Sequence, residues 1–352
     1  MKPRHFMLYI LLVVAIFGLL MGCSSNDDAN SANADTEDNS TEETTESSEP
    51  IVIEHAFGET VIEETPERVT TIQWGNQDVA LALGVVPVGF SAANFGVEDD
   101  SGLLPWTAEK LEELNAEDPN VFQDTDGLDF EAIADSNPDV ILAAYSGITQ
   151  EDYDLLTEIA PVVAYPVSPW TTSWREQVMM SAEGMGMREK GEELIEETDN
   201  LIDEKLEEYP EISGKKVAWV NFSATDTSSM HLYTPTDTRV KFLTEELEME
   251  FPEEILNELE NETDYSLNLS AENADILNDV DVFLGYGDEE LVETIQNDPI
   301  LGQIPAIKQG SVAFINGTSE LGAAGTPNPL AISYTIDEYL ALISDALNNA
   351  EE

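Results

Sequence analysis

Basic residues are scarce in this chain of 352 residues. Lys and Arg together number 13, whereas Asp and Glu number 73, which gives a formal net charge of −60 at neutral pH. Phosphate binding needs a basic footprint, so nucleic acid is excluded as a partner. An anionic membrane surface would repel the chain for the same reason. Highly anionic ligands would also be repelled, unless the few cations are gathered at one site.

Cysteine and histidine are also rare. The single cysteine excludes an intramolecular disulfide and a thiolate zinc site, and three histidines argue against a histidine-rich metal cage. Motifs of common enzymes are missing too, because the sequence has no GxSxG, no P-loop and no HExxH. We therefore predict a protein that is not an enzyme and that has no cofactor and no metal held by its own side chains.

The N-terminal residues are organised like those of a bacterial lipoprotein. Two basic residues precede an apolar run over 6–20, which is too short for a comfortable membrane span and has the proportions of a secretory signal. Leu20-Met21-Gly22 then precedes Cys23 and resembles a lipobox, in which cleavage occurs before the cysteine and the cysteine is lipidated. We predict a signal peptide over 1–22 and a lipid on Cys23 that holds the protein on the outer face of the cell membrane. The alternative is an ordinary signal peptide with a chance cysteine.

A polar, acidic segment follows the cysteine. Residues 23–50 are rich in Ser, Thr, Asn, Asp and Glu and lack aromatic side chains. Such a segment cannot bury enough apolar surface to offset chain entropy, so we predict a disordered tether. The rest of the chain is long enough for two globular domains, each with a sizeable core.

The body alternates strands and helices in two series, which favours mostly parallel sheets. A long helical stretch over 173–209 separates the two series, and Gly184, Gly186 and Gly191 predict a bend or break within it. We predict an α/β fold of two Rossmann-like lobes, 51–172 and 210–352, joined by a single long α-helix. A cleft between two such lobes is a common ligand site.

Several segments resemble the substrate-binding lipoproteins of iron–siderophore ABC importers, and the resemblance covers roughly residues 51–350. It rests on the order and spacing of these segments: Glu67-Arg68-Val69, 81–89 (LALGVVPVG), Phe130-Glu131-Ala132-Ile133, Asn137-Pro138-Asp139-Val140-Ile141, Ile159-Ala160-Pro161, Ser173-Trp174-Arg175-Glu176, Leu269-Ser270-Ala271-Glu272 and Asp281-Val282-Phe283.

The resemblance implies a helix-linked, class III substrate-binding protein. Such a protein holds a ferric siderophore in the cleft and delivers it to an ABC permease. In this family one glutamate on each lobe docks onto arginines of the permease, and Glu131 and Glu272 match those two positions. Each is predicted at a helix start, where a carboxylate is favoured by the helix dipole in any case, so an ordinary helix-start acid is the alternative.

Aromatic and basic residues supply the candidate ligand contacts. Tyr145 follows a predicted strand at the carboxyl edge where open α/β sheets bind ligands, and it matches an aromatic cleft position in hydroxamate-binding relatives. Flat rings suit the mostly apolar coat of a siderophore, and arginine can donate to hydroxamate or carboxylate oxygens in bidentate fashion. Local packing is the alternative for each ring, and a structural ion pair is the alternative for each arginine. The candidates are Trp74, Trp106, Tyr145, Trp170, Arg175, Arg239 and Tyr265.

One segment departs from the pattern. Hydroxamate-binding relatives often carry an arginine shortly before the first-lobe glutamate, whereas this chain has Asp124-Thr125-Asp126 there. The overall charge nevertheless favours a hydroxamate ligand. A ferric tris-catecholate is trianionic and would be repelled, whereas a ferric trihydroxamate is neutral or cationic.

Two classes of function remain open at this point. The first is a monomeric, tethered binding protein for a ferric siderophore, with ferric citrate, haem and cobalamin as rival ligands, because one fold serves several of these. The second is a surface lipoprotein with enzymatic or adhesive activity. A two-lobe α/β body without a nucleophile, base or metal motif favours the first.

Overall fold

A computed structural model describes residues 50–97, 101–124, 126–261 and 263–349. The predicted signal peptide, the lipidation site Cys23 and the predicted tether up to residue 49 lie outside the described residues. Both lobes belong to one compact unit. Within the described ranges no helix is both long enough and apolar enough to cross a membrane.

The first lobe is built on a parallel sheet with a hairpin beside it. Its elements are β1 (Ile51–His55), β2 (Gly58–Ile62), β3 (Val69–Thr71), α1 (Asn76–Ala82), β4 (Gly89–Ser91), α2 (Pro105–Glu113), β5 (Val121–Phe122), α3 (Phe130–Asp135), β6 (Val140–Ala143), α4 (Gln150–Thr157) and β7 (Val162–Ala164). The sheet order is β5-β4-β3-β6-β7, and every neighbouring pair is parallel. The apolar run of β6 is buried along its whole length, as expected for a strand covered on both faces.

The second lobe contains a five-stranded mixed sheet. Its elements, after two helices named below, are β8 (Val217–Asn221), β9 (Ser229–Tyr233), α7 (Thr238–Glu245), α8 (Glu253–Leu256), β10 (Ser266–Ser270), a 3₁₀ segment (Ala271–Leu277), β11 (Val282–Tyr286), α9 (Glu289–Asn297), a 3₁₀ turn (Leu301–Gln303), α10 (Pro305–Gln309), β12 (Val312–Ile315), α11 (Glu320–Ala324) and α12 (Pro329–Asn348). The order is β10-β9-β8-β11-β12. Strands β8, β11 and β12 are parallel, but β9 and β10 are antiparallel, because β8 returns as β9 through a short connection that has no crossover helix.

The linking segment consists of two helices, α5 (Trp174–Gly184) and α6 (Arg188–Leu206). The break lies where the glycines predicted it, and Gly186 adopts a φ of 68°, in the left-handed region that glycine enters without strain. Gly191 permits close packing of the two helices, since a Cβ there would lie 2.6 Å from the Cβ of Ala182. Helix α5 packs against strands of the first lobe, so the long helix that joins the lobes is α6. The exact domain boundaries stay a prediction.

A buried asparagine near the start of α1 fixes the end of β6. The side-chain amide of Asn76 donates to the carbonyl oxygens of Ile72 (2.8 Å) and Tyr145 (2.9 Å). Its oxygen accepts the backbone N–H of Tyr145 (3.1 Å) and the side-chain amide of Gln177 in α5 (3.1 Å). One fully buried side chain therefore ties together the ends of β3 and β6 and the helix behind them.

A buried aspartate in the same helix connects the first lobe to the last helix. Asp78 accepts hydrogen bonds from the indole of Trp106 (2.8 Å), the hydroxyl of Thr107 (2.6 Å) and the amide of Asn328 (3.1 Å). The oxygen of Asn328 in turn caps α12 by accepting the N–H of Leu330 and of Ala331. Burial raises the pKa of Asp78 to about 6, although these donors oppose the shift.

The hydrophobic core continues from one lobe into the other. One cluster of buried side chains includes Val79 and Leu142 of the first lobe, Val217 and Leu284 of the second, and Leu340 of α12. Separating the lobes would expose part of this apolar surface, which costs free energy in proportion to its area. The two lobes are thus held together by shared core as well as by α6.

Candidate ligand-binding cleft

A path of aromatic rings crosses from the first lobe to the second. Trp74 follows β3 and contacts Phe95, which follows β4, at 6.4 Å between ring centroids. Phe95 contacts Tyr286 at the end of β11 (6.0 Å), and Tyr286 contacts Trp219 in β8 (5.7 Å). Phe95 is 39% exposed, whereas Trp219 is fully buried. The carboxyl ends of the two sheets therefore face each other across this path.

Tyr145 reaches the second lobe from the end of β6. Its hydroxyl lies 3.5 Å from the hydroxyl of Thr238, at the start of α7. Burial is the main reason why its pKa rises to about 12; the hydrogen bond from Thr238 opposes that rise, and the charge of Asp237 adds to it. Tyr145 is therefore a neutral hydrogen-bonding group at the interface between the lobes. We call this interface the seam; its residues are Trp74, Phe95, Tyr145 and Trp170 of the first lobe and Asp237, Arg239 and Tyr286 of the second.

Trp170 forms an exposed wall next to Tyr145. The two rings meet edge to face at 5.3 Å, and Trp170 is 41% exposed. Its backbone has a φ of 62°, an unusual conformation for a bulky residue, and its N–H donates to the carbonyl of Ser146 (3.1 Å). The ring lies directly over Gly147, where an added Cβ would come within 2.5 Å of it. Strain of this kind is commonly found at ligand sites.

Arg239 lies at the second-lobe side of the seam, in the first turn of α7. Its guanidinium donates to both carboxylate oxygens of Asp237, at 2.8 and 2.7 Å, and lies 3.8 Å from the ring centroid of Tyr233. Burial opposes the charge, but the hydrogen bonds and charge of Asp237 outweigh it, so the pKa of Arg239 is raised. The only arginine predicted for this lobe of the cleft is therefore charged and already paired.

The segment around α11 closes over Tyr286. The hydroxyl of Tyr286 lies 3.4 Å from the carbonyl of Gly322, and a Cβ on Gly325 would come within 2.9 Å of that hydroxyl. Burial raises the pKa of Tyr286, against the opposing charge of Arg239. A separate groove of about 570 Å³ lies beside α11, where residues 96–97 and 101–108 face residues 318–321.

The first-lobe edge carries a carboxylate where relatives often have an arginine. Asp124 follows β5 and accepts the hydroxyl hydrogen of Ser91 at 2.5 Å, while that hydroxyl accepts the N–H of Gln73 (2.8 Å). Burial raises the pKa of Asp124. This edge of the cleft therefore presents an acid rather than a base, as the sequence indicated.

The structure brings four of the seven predicted ligand residues to the seam, namely Trp74, Tyr145, Trp170 and Arg239. Trp106 packs in the same apolar cluster as Trp74, but it is only 3% exposed and its indole is bonded to Asp78, so it supports the wall from behind. Tyr265 lies beside Thr234, outside the aromatic path, with half of its surface exposed.

Arg175 forms an ion-pair network behind the cleft. Its guanidinium pairs with Asp199 of α6 and with Glu246, which follows α7, and it stacks on Trp174 at 4.3 Å. Trp174 also donates its indole N–H to Glu246 (3.0 Å). Burial raises the pKa of Glu246, and the bond from Arg175 opposes that shift. These contacts favour the structural ion pair, which the sequence left as the alternative to a ligand role for Arg175.

The two predicted docking glutamates occupy matching places in the two lobes. Glu131 lies in the first turn of α3, capped by Asp129, and the chain then enters β6. Glu272 lies in the first turn of the 3₁₀ segment, capped by Ser270, and the chain then enters β11. Both side chains are exposed. Each glutamate therefore precedes the strand that is fourth in the order of its five-stranded sheet.

Sequence reasoning missed three residues of the seam: Phe95, Tyr286 and Asp237. Phe95 and Tyr286 lie at or after the carboxyl ends of strands, the same signal that identified Tyr145. Asp237 is the N-cap of α7 two residues before Arg239, a spacing that allows a local ion pair. His231 lies outside this group, with its Nδ1 2.9 Å from the side-chain oxygen of Asn268 on the neighbouring strand. In the part of the chain that the structure describes, no three His, Cys, Asp or Glu side chains are grouped to hold a metal ion.

A family model described as periplasmic binding protein matches residues 69–317. The chain is 52% identical to PiaA of Streptococcus pneumoniae TIGR4, whose crystal structure in complex with ferrichrome matches with a TM-score of 0.81 over 85% of this chain and 99% of PiaA.

Two more distant relatives are similar in sequence. The probable siderophore-binding lipoprotein YfiY of Bacillus subtilis is 26% identical over 224 residues, which cover 63% of this chain and 61% of YfiY. The ferric enterobactin-binding periplasmic protein FepB of Escherichia coli O6:H1 is 25% identical over 277 residues, which cover 75% of this chain and 83% of FepB.

Replacing Arg175 separates a structural role from a ligand role. We expect Arg175→Gln to lower the free energy of unfolding by roughly 1–3 kcal/mol, because Glu246 would lose its charged partner while still buried. Urea denaturation measures this change, and titration with a ferric trihydroxamate should give an unchanged dissociation constant. Arg188→Gln is the matched control, since its ion pairs are exposed and should contribute little. A large loss of affinity with unchanged stability would instead indicate that Arg175 contacts the ligand.

Proposed function

The chain belongs to the periplasmic binding protein family, and we propose that it captures a ferric siderophore and delivers it to an ABC permease for iron uptake. The observation that carries this proposal is the aromatic seam between the lobes. Rings from both sheets meet there at their carboxyl edges, where ligands of open α/β folds bind. Such a site binds and releases a ligand, which is the work of a transport protein rather than of an enzyme.

A hydroxamate siderophore fits the charges of the seam better than a catecholate. Arg239 is the cation nearest to Tyr145 and Tyr286, and Asp237 already neutralises it. Asp124 adds a carboxylate at the first-lobe edge. A trianionic complex would therefore enter a field without a compensating positive charge, whereas a neutral or cationic trihydroxamate would not. The relationship to PiaA, solved with the hydroxamate siderophore ferrichrome, supports the same choice.

The flat rings supply the remaining affinity. Phe95 and Trp170 are each about two-fifths exposed, although large apolar side chains usually bury most of their surface. A siderophore that covers them would remove this apolar surface from water and gain free energy in proportion to the area. Tyr145, buried behind Trp170, adds a hydroxyl that can hydrogen-bond in the same region.

Delivery requires a second surface and an anchor. Glu131 and Glu272 are the proposed contacts with arginines of the permease, one on each lobe. The proposed lipid on Cys23 and the acidic tether would hold a monomeric body at the outer face of the membrane, close to that permease. The similarity to the B. subtilis lipoprotein supports this extracytoplasmic location.

Removing the Tyr145 ring tests the position of the ligand. We expect Tyr145→Ala to weaken the binding of a ferric trihydroxamate by roughly 1–3 kcal/mol, the usual cost of truncating an aromatic anchor. Quenching of tryptophan fluorescence gives the dissociation constant. Tyr153→Ala is the control, because Tyr153 stacks on Phe57 at the β1–β2 hairpin, away from the seam. An unchanged dissociation constant for Tyr145→Ala would show that the ligand does not pack on this ring.

Reversing the two docking charges tests delivery separately from capture. The double variant E131K/E272K should abolish iron uptake by cells while the purified protein keeps its siderophore affinity, since both glutamates are exposed and neither makes a ring contact in the aromatic path. Uptake of ⁵⁵Fe-loaded siderophore measures the first property and fluorescence titration the second. The control E189K/E293K makes the same change of charge on two other exposed glutamates and should transport normally. Loss of affinity in E131K/E272K, or unimpaired uptake, would contradict the docking role.

A further inference from the structure

Arg239 and Asp237 form a closed ion pair at the second-lobe side of the seam. The guanidinium uses its Nε and one terminal nitrogen on the two carboxylate oxygens, which is the same fork geometry that would bind a carboxylate or a deprotonated catechol of a ligand. The side chains are only 17% and 4% exposed, so the pair is largely removed from water. Asp237 therefore occupies one of the two guanidinium edges that can bind an anion in this fork geometry, and it neutralises the charge of the arginine.

The groups around the pair keep it in place without changing its charge. The ring of Tyr233 covers the guanidinium at 3.8 Å and Trp219 lies at 5.8 Å. The phenols of Tyr145 and Tyr286 interact with the pair, and burial raises the pKa of each, so both are neutral near pH 7. Arg239 and Asp237 therefore contribute one positive and one negative charge to this wall of the seam, and the two charges cancel.

Helix capping does not by itself require the carboxylate. Asp237 caps α7 by accepting the N–H of Arg239 at 3.0 Å. Asparagine and serine cap helices about as well as aspartate does. The negative charge at this position therefore has a consequence separate from capping, namely the neutralisation of Arg239.

We propose that Asp237 determines the charge selectivity of the cleft: by occupying Arg239 it excludes anionic iron chelates and leaves the site to neutral or cationic ones. This inference rests on the proposed siderophore-binding function and assigns its specificity to one residue. The carboxylate acts as an internal competitor for the arginine: it takes the Nε–Nη2 edge and cancels the positive charge, so an anionic ligand gains little from the donors that remain.

Neutralising Asp237 is the direct test. The wild-type protein and the D237N variant are titrated with a neutral ferric trihydroxamate and with a trianionic ferric tris-catecholate, by tryptophan fluorescence at low and high salt. We expect D237N to bind the tris-catecholate at least about tenfold more tightly than the wild type, because an unmasked charge some 10 Å from the ligand is worth that much at an effective dielectric constant near 20. High salt should reduce this gain. D288N, the same change at the N-cap of α9, should alter neither affinity.

A second variant shows whether the gain comes from Arg239. In D237N/R239Q both charges are absent, so the preference for the trihydroxamate over the tris-catecholate should return to that of the wild type. D237S removes the same charge with a smaller side chain that still caps α7, so it should show the same gain of catecholate affinity as D237N. A gain of catecholate affinity in D237N/R239Q equal to that in D237N would overturn the proposed masking of Arg239.

The outcomes separate this inference from the function on which it rests. Wild-type protein that binds the trihydroxamate, together with D237N and D237S variants that keep the wild-type preference, would overturn the role of Asp237 and leave the siderophore function standing. Wild-type preference for the tris-catecholate would also overturn it. If the wild-type protein binds neither chelate, the proposed function itself is contradicted.

Discussion

The geometry of the seam depends on two buried polar side chains of one short helix. Asn76 holds the backbone of Tyr145 on both its N–H and its carbonyl, so the direction in which the chain leaves β6 is fixed. Asp78 holds Asn328, the cap of α12, and thereby places the last helix against the first lobe. Unpaired, each of these buried groups would be costly, so the network is stable only when all its members are present. Lobe placement and ligand wall are thus set by the same few hydrogen bonds.

Charge acts at two scales in this protein. The excess of acids over bases creates a negative field that any ligand must enter. Within that field two partly buried arginines are paired locally: Arg175 holds α5, α6 and the end of α7 together, and Arg239 forms an ion pair with Asp237. The cleft is left to flat rings and neutral hydroxyls. A surface rich in acid and a proposed site whose arginine is already paired favour the same kind of ligand.

The sequence was most informative where local pattern decides structure. Unbroken apolar runs such as β6, and the glycines between α5 and α6, predicted the α/β alternation and the break. The place of Tyr145 after a strand predicted its position at the carboxyl edge of the sheet. Contacts between distant segments were not accessible in this way. Trp106 looked like a cleft aromatic, because nothing local shows that its indole is bonded to Asp78. The meeting of Phe95 with Tyr286 depends on how the lobes pack, which no single segment encodes.

We propose that the iron complex is held in the seam between the lobes, against rings from both. A crystal structure of the protein with a ferric trihydroxamate, with anomalous data collected at the iron absorption edge, would locate the iron. One iron peak is expected between the wall of Tyr145 and Trp170 and the wall of Tyr286 and Arg239, with the ligand covering Phe95. A peak outside the seam, for example in the groove beside α11 or on the surface of one lobe, would contradict it.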